Sequence, residues 1–535
     1  MTAKNRAAIL AEIDLLIDNT TKAITPAQLR AVLTTLVDSG FIKLENEIAQ
    51  GNVTSLPADL NAITASIAGL SKPDKLFHNN VSQRAVATST GLWLFTPNYE
   101  SNAAAIAGGL QPGELYITAA GEVRGVYAAS TATIVAPTGV DAPTGRGTLA
   151  APYKTLAYAH ARAVPGDTIL MRGGTYALTV SDVLTKDGTA GLPITVGNYG
   201  TEVPILDGSA LVAGYDSGWC LVLDSCSWQN IYGLEIKDAP DGGLILVGLS
   251  GNNNLTGLHV HHIGPSTIEG KGITLYGSGS NNYFLNCDAH HCTNTDYEDA
   301  DGFQISTTGS GTILRWCRAW SNSDDGFDLF NIQDNTVGGL ALVDGCWSWL
   351  NGYREDGVTA GGDGSGFKLG GTRGGTTGNS GGHTVRNCLA WKNRVYGFSD
   401  NGAQKAIFVY NNTGWANRNE GVSNGYNFYF QSSTADTLRN NLSAGPIGLD
   451  SVGVASSNIQ TNNSWNAAIG VTVSDADFVS LVYTHMDDAR GADFALPANA
   501  GFLRLAPGSD CINKGVNVGL PFNGPAPDLG AYETV

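Results

Sequence analysis

The sequence predicts an all-β chain wound into a right-handed parallel β-helix, with a small helical and short-strand region at its N-terminus. Three observations carry this. Short apolar runs open on glycine at Gly272-Ile273, Gly302-Phe303, Gly326-Phe327, Gly366-Phe367 and Gly397-Phe398. A second column holds Cys287, Cys317, Cys346 and Cys388 and continues as Asn412 and Asn441; the interval from Gly to this column is 15 residues in three coils. Three residues further on stands a ring: His290, Trp320, Trp349, Trp391 and Trp415. Strands that recur every 24 to 42 residues, with polar turns between, describe coils that each add one rung to a stack. A propeller would need four strands per blade at a regular length, and the pattern has neither.

Composition agrees with that architecture. Charged residues make up 15% of the 535, against about 25% in average proteins, and 69 residues are glycine. Such a balance favours many turns joining short strands over long solvated helices. The net charge of −18 argues against a nucleic-acid binder, which needs a basic surface. An acidic chain that binds an acidic polymer needs a local device against repulsion, and a divalent cation is one. Eight cysteines without a CxxC pair read as buried thiols, not as a disulfide scaffold or a zinc site.

In chain order, residues 4–18 place Ile9, Leu10, Ile13, Leu16 and Ile17 at helical spacing. Thr25-Pro26 opens a second helix carrying Leu29, Val32, Leu33, Leu36 and Val37, closed by Gly40. Two short amphipathic helices cannot bury both apolar faces alone, so copies of the chain, as in a homotrimer, or another protein must cover them. Glu12 and Asp14 interrupt the first apolar stretch, so no signal peptide is expected. No run approaches the length of a membrane span, so no membrane insertion is expected. The boundaries are drawn at 1–76 for the helical region, 77–130 for a small β segment and 131–535 for the β-helix. Within the last, 154–164 reads as a helix that covers the open end of the stack.

The chemistry concentrates between Glu298 and Phe330. Aligned on glycine, Asp301 and Asp325 both stand one residue before it, while Gln304, Asp328 and Lys368 stand two after it. The first pair should stack on adjacent rungs, and Asp328 and Lys368 should be ladder neighbours on the outward face. Asp324 adds a fourth carboxylate. Acids this close repel one another unless a cation sits among them, and oxygen ligands without sulfur or imidazole favour calcium. A salt bridge from Lys368 to Asp328 is the plain alternative for the lysine. Arg354, Lys392 and Arg394 lie in turns near this face, either to bind substrate carboxylates or as plain surface charges. The pairs His261-His262 and His290-His291 occupy equivalent places in neighbouring coils, so the repeat accounts for them without a metal. The ring column is expected to stiffen the turns, not to form a sugar platform.

These residues carry a resemblance. DADGF at 299–303, SDDGFDLF at 323–330 and GSGFKLGG at 364–371, followed by NCLAWKNR at 387–394, are similar to the pectate lyases of polysaccharide lyase family nine. TLAAPYKTL, PGDTILMRGGTY and PAPDLGAYE extend the likeness over most of 131–535. The resemblance implies that Asp301, Asp324, Asp325 and Asp328 bind Ca2+, that Lys368 is the Brønsted base, and that an acidic polysaccharide is cleaved by β-elimination. A lysine base must be neutral to take a proton, so its pKa is expected to fall. Separately, 22–39 (KAITPAQLRAVLTTLVDS) and 103–127 resemble phage and prophage tail proteins. That likeness implies attachment to other virion proteins, a place on a virion tail spike or fibre, and a uronic-acid-containing bacterial capsule or exopolysaccharide as substrate, with a pectate-like polymer the other option. A glycoside hydrolase on the same fold with paired aspartates, and a glycan-binding adhesin without catalysis, stand as the alternatives.

Overall fold

The structure is a computed structural model that describes residues 132–214, 217–264, 269–330, 338–371, 380–418, 425–432, 434–446, 449–498 and 501–534, with four short strands before them. The helices expected at 4–18 and 25–40 lie outside the described residues. The four early strands form two antiparallel pairs, Val86–Thr88 with Gly91–Trp93 and Leu115–Ile117 with Val123–Gly125.

From Thr133 onward the chain coils through three parallel sheets. One coil runs from Asn254–Thr256 through His259–His261 to Lys271–Gly277, and the next begins at Tyr283–Leu285. The first of these strands belongs to a back sheet of twelve strands, the second to a ring sheet of ten, and the third to a site sheet of ten. Each strand pairs in parallel with its equivalents one coil before and after, as Asn254↔Tyr283, His259↔Asp288 and Ile273↔Phe303 show. This is the parallel β-helix that the repeat predicts.

The glycine and phenylalanine columns explain one another. Phe303, Phe327, Phe367, Phe398 and Phe428 are fully buried and stack with ring centroids 4.8–4.9 Å apart. Burial of each ring contributes about 1.5–3 kcal/mol. The facing ring sheet must be thin to admit them, and it supplies Ala289, Ala319, Ser348 and Ala390 inward. A ladder of buried asparagines passes beside the glycines: Asn322, Asn351, Asn393, Asn417 and Asn427, each amide donating to the next at 2.9 Å. A Cβ on Gly302, Gly366 or Gly397 would lie 2.6–2.7 Å from a ladder amide nitrogen, so no larger residue fits. A second ladder, Asn412 to Asn441 to Asn463, continues the cysteine column as expected.

Between the ring sheet and the site sheet each coil turns through one left-handed residue: His291, Ser321, Leu350, Lys392 and Ala416, with φ between 51° and 55°. The N-terminal cover is shorter than expected. Its helix spans Leu156–His160, not 154–164, with Thr155 as N-cap accepting from Tyr158 N at 3.2 Å. Beyond His160 the bonds tighten to Arg162 N→Ala159 O and Ala163 N→His160 O, and Pro165 disfavours helix at Val164. Leu156 and Ala159 still close the core.

After Ile459–Thr461 the chain returns along the outside of the ring sheet. Phe502 packs on Trp391 and Trp415, and Arg490 forms an ion pair with the buried Asp288 at 2.7 Å. Trp320, Trp349 and Trp391 stack at 4.6–4.8 Å and are buried with this segment. The ring column is therefore internal packing.

Candidate active site

The site forms where the ring-sheet turns enter the site sheet. Asp301 precedes the strand Phe303–Thr307, Asp324 and Asp325 precede Phe327–Asp328, and Lys368 ends Ser365–Lys368. Gln304 pairs with Asp328 and Asp328 with Lys368, the register expected from the repeat. Phe327 and Phe367 point inward, so Asp328 and Lys368 lie on the outer face. Outer does not mean exposed: the four aspartates and Lys368 are all buried, under turns that include residues 361–364.

Backbone donors hold each acid in place. Asp325 N donates to Asp301 Oδ1 at 3.1 Å, Ser365 N to Asp325 Oδ1 at 2.5 Å, Asp299 N to Asp324 Oδ2 at 2.9 Å and Phe330 N to Asp328 Oδ1 at 2.7 Å. Lys368 Nζ lies 3.0 Å from Asp325 Oδ2, 3.2 Å from Asp363 Oδ2 and 3.8 Å from Asp328 Oδ2. Asp301, Asp325 and Asp328 present one oxygen each within 4.8 Å of one another, and so do Asp324, Asp325 and Asp363.

The electrostatics follow from that crowding. Burial, and then the neighbouring carboxylates, push Asp301 and Asp324 well above the ordinary range, and Asp328 reaches about 7. Burial also raises Asp325, against the pull of Lys368. For Lys368 burial acts downward, but Asp325, Asp328, Asp324 and Asp363 together outweigh it and hold the ammonium well above its usual pKa. The fall expected for a neutral base is thus absent while the acids stand uncompensated.

The donor set fits a hard cation. Asp301 Oδ2 is buried without a hydrogen-bond partner, and so are both polar atoms of the Gln304 amide next to Asp328. The converging side-chain donors are oxygens alone, as calcium prefers. Asp301, Asp324, Asp325 and Asp328 would hold the ion.

Of the outlying basic residues, two frame the cluster and one does not. Arg394 donates to Gly362 O at 2.7 Å, next to Asp363, and Arg354 lies over the Tyr297 ring at 4.1 Å in the loop that packs on Asp324. Lys392 turns away to the ring sheet, bonding Tyr483 Oη at 2.9 Å. Its left-handed turn position aims it there. Asp363 was not singled out from the sequence. Its signal is an acid inside the glycine-rich GGDGSG insertion, just ahead of the strand that carries Lys368.

The family described as Pel9A-like, right handed beta helix region, matches residues 133–441. The chain belongs to this family. It is a polysaccharide lyase of the pectate lyase type on a β-helix fold. Among its relatives, Pectate lyase L of Paenibacillus polymyxa (strain SC2) is 33% identical over 366 residues, covering 66% of this chain and 78% of the relative. Pectate lyase PEL9 of Emericella nidulans is 31% identical, covering 70% of this chain and 92% of the relative. The crystal structure of pectate lyase Pel9A superposes with a TM-score of 0.61 at 28% identity, covering 76% of this chain and 99% of that one. A rhamnogalacturonan lyase superposes at 0.59 with 26% identity, covering 70% and 96%.

Proposed function

We propose that this lyase cleaves a uronate-containing polysaccharide by calcium-dependent β-elimination, with Lys368 as the base. The observation that carries this reading is the cluster of buried aspartates around Asp325 and Asp328, which lie 3.0 and 3.8 Å from Lys368, with Asp301 Oδ2 left without a hydrogen-bond partner. When bound, calcium would withdraw charge from the uronate carboxylate and make the C5 proton more acidic. Lys368 Nζ takes that proton, the C4–O bond to the next sugar breaks with its electron pair on the departing oxygen, which takes a proton from water, and a C4=C5 double bond remains on the new non-reducing end.

The same acids decide when the lysine can act. Uncompensated, they hold Lys368 as ammonium, which cannot accept a proton. Charge compensation at Asp324, Asp325 and Asp328 removes the field that stabilises the ammonium, and burial then pulls the pKa down. Arg394 and Arg354, on turns flanking the cluster, would meet further substrate carboxylates, and Asp363 holds Lys368 from the solvent side.

The setting proposed for the reaction is a virion tail, where the chain degrades an acidic capsule or exopolysaccharide at the host surface. It rests on the likeness of residues 22–39 and 103–127 to tail proteins. We likewise propose a homotrimer, because the helical apolar spacing read from residues 4–18 and 25–40 would need a partner.

One experiment tests the chemistry: incubation with a panel of uronate polysaccharides, following ultraviolet absorbance and new reducing ends. An absorbing product that disappears with chelator supports the proposal. Reducing ends without absorbance would indicate hydrolysis, and binding without either would indicate an adhesin.

A further inference from the structure

We infer that Glu235, His259 and His261 form a second metal site, for zinc or a similar first-row divalent cation, separate from the aspartate cluster. Glu235 lies on the strand Glu235–Lys237 and the two histidines on His259–His261, the next rung of the ring sheet. Alternation turns Val260 into the core and both histidines outward, and the register sets Glu235 beside His259. One ligand atom from each of the three lies within 4.8 Å of the others. All three side chains are partly exposed, so an ion can reach them.

The repeat explains only part of this arrangement. His261 and His290 belong to the ring column, stacked at 5.1 Å below Trp320. Glu235 and His259 stand in the neighbouring outward column, whose later members are Asp288, Arg318 and Trp347. No ring ladder requires an imidazole there. His259 Nε2 nevertheless meets His290 Nε2 at 2.8 Å, a hydrogen bond that orients the His259 ring.

The outer contacts of these imidazoles bear on their tautomers. His261 Nδ1 meets His262 Nδ1 at 2.7 Å, and His290 Nδ1 meets His291 Nδ1 at 2.6 Å. Each nitrogen-to-nitrogen contact holds one proton and requires one bare nitrogen. A proton on His261 Nδ1, donated to His262, leaves the His261 Nε2 lone pair directed at Glu235. Hydrogen bonds of this kind fix the tautomer of metal-bound histidine. The 3.4 Å between His261 Nε2 and Glu235 Oε1 matches the edge of about 3.3 Å in a tetrahedron with zinc bonds of about 2.0–2.1 Å. Imidazole with one carboxylate selects zinc, copper or nickel over calcium. Bound there, the ion ties consecutive coils together on the solvent side.

The test is calorimetric titration of Zn2+ into the chelator-stripped full chain, in excess Ca2+ so that hard-ligand sites are filled. One equivalent is expected to bind, with binding retained in Asp324→Asn and lost in the His259→Gln/His261→Gln double variant. His262→Ala is expected to weaken it about tenfold or more. Cu2+ as a second probe on the unaltered chain is expected to show hyperfine coupling to more than one imidazole nitrogen. Zinc binding unchanged in the double variant, zinc competing with Ca2+ for one site, or copper without nitrogen coupling would each overturn the assignment. The copper measurement decides the matter even if the double variant fails to fold.

Discussion

Lys368 Nζ is 3.0 Å from Asp325 Oδ2, closer than the 3.8 Å to Asp328, its ladder neighbour. The strand register brings the lysine to the right rung, and the turn before Gly326 then supplies the nearer carboxylate. Replacing the ammonium leaves these acids without their cation and removes the proposed base. Lys368→Ala is expected to lower turnover by about 10²–10⁴, the usual contribution of a positioned base. The check is the rate of ultraviolet absorbance increase on the responsive polysaccharide. A variant that keeps the parent rate with the fold intact by circular dichroism would remove Lys368 from the chemistry.

The acids also make a stability prediction with a definite sign. Asp328 sits at about 7, and Asp301 and Asp324 well above the ordinary range, because burial and mutual repulsion disfavour their charged forms. A carboxyl raised on folding binds protons that the unfolded chain has already released. In chelator, this group of acids should therefore make Tm fall as pH rises from about 4 through 7. Calcium should reverse the trend by stabilising the ionised forms, and raise Tm with concentration at pH 7. Asp301→Asn separates the effects: it should raise Tm in chelator and reduce the calcium-induced gain. Thermal melts across pH, with and without calcium, provide the measurement.

The C-terminal return gives a third. Asp288 is buried between Arg318 and Arg490, at 2.6 and 2.7 Å. Burial alone would raise its pKa, but the two guanidiniums outweigh it and hold the carboxyl below the usual range. A depressed carboxylate contributes stability above its unfolded pKa of about 3.9 that is lost as pH falls through the folded value. Asp288→Asn leaves Arg318 and Arg490 buried without their anion, which costs about 3–5 kcal/mol for a broken buried pair. Faster proteolytic cleavage near residues 486–494 is the expected signature.

That ion pair also shows where sequence reading ends. The coil period, the phenylalanine stack and the Asp328–Lys368 register were legible because each rung repeats its neighbour, and a repeated column needs only spacing. Asp288 with Arg490, 202 residues apart, belongs to no repeat. Asp363 escaped for a related reason. It lies in an insertion that lengthens one coil, so alignment on glycine gave it no counterpart. The asparagine ladder sits two residues after every tryptophan of the ring column, yet asparagine is so common in turns that residue type alone does not mark it as a buried ladder. Lys392 shared sequence proximity with Arg394, and one left-handed residue sent the two side chains to different sheets.

The ring column offers the last prediction. Trp349 and Trp391 stack 4.6 Å apart and are buried under the segment that carries Phe502. An internal stack contributes to folding, not to substrate affinity. Trp349→Ala removes a buried indole from between Trp320 and Trp391, and large-to-small changes of this kind cost about 3–5 kcal/mol. Tm should drop accordingly, while KM on the cleaved polysaccharide stays within about twofold of the parent below the new melting temperature. A sugar platform would give the opposite pattern, with KM rising and Tm little changed. Measuring both on one preparation tells packing from binding.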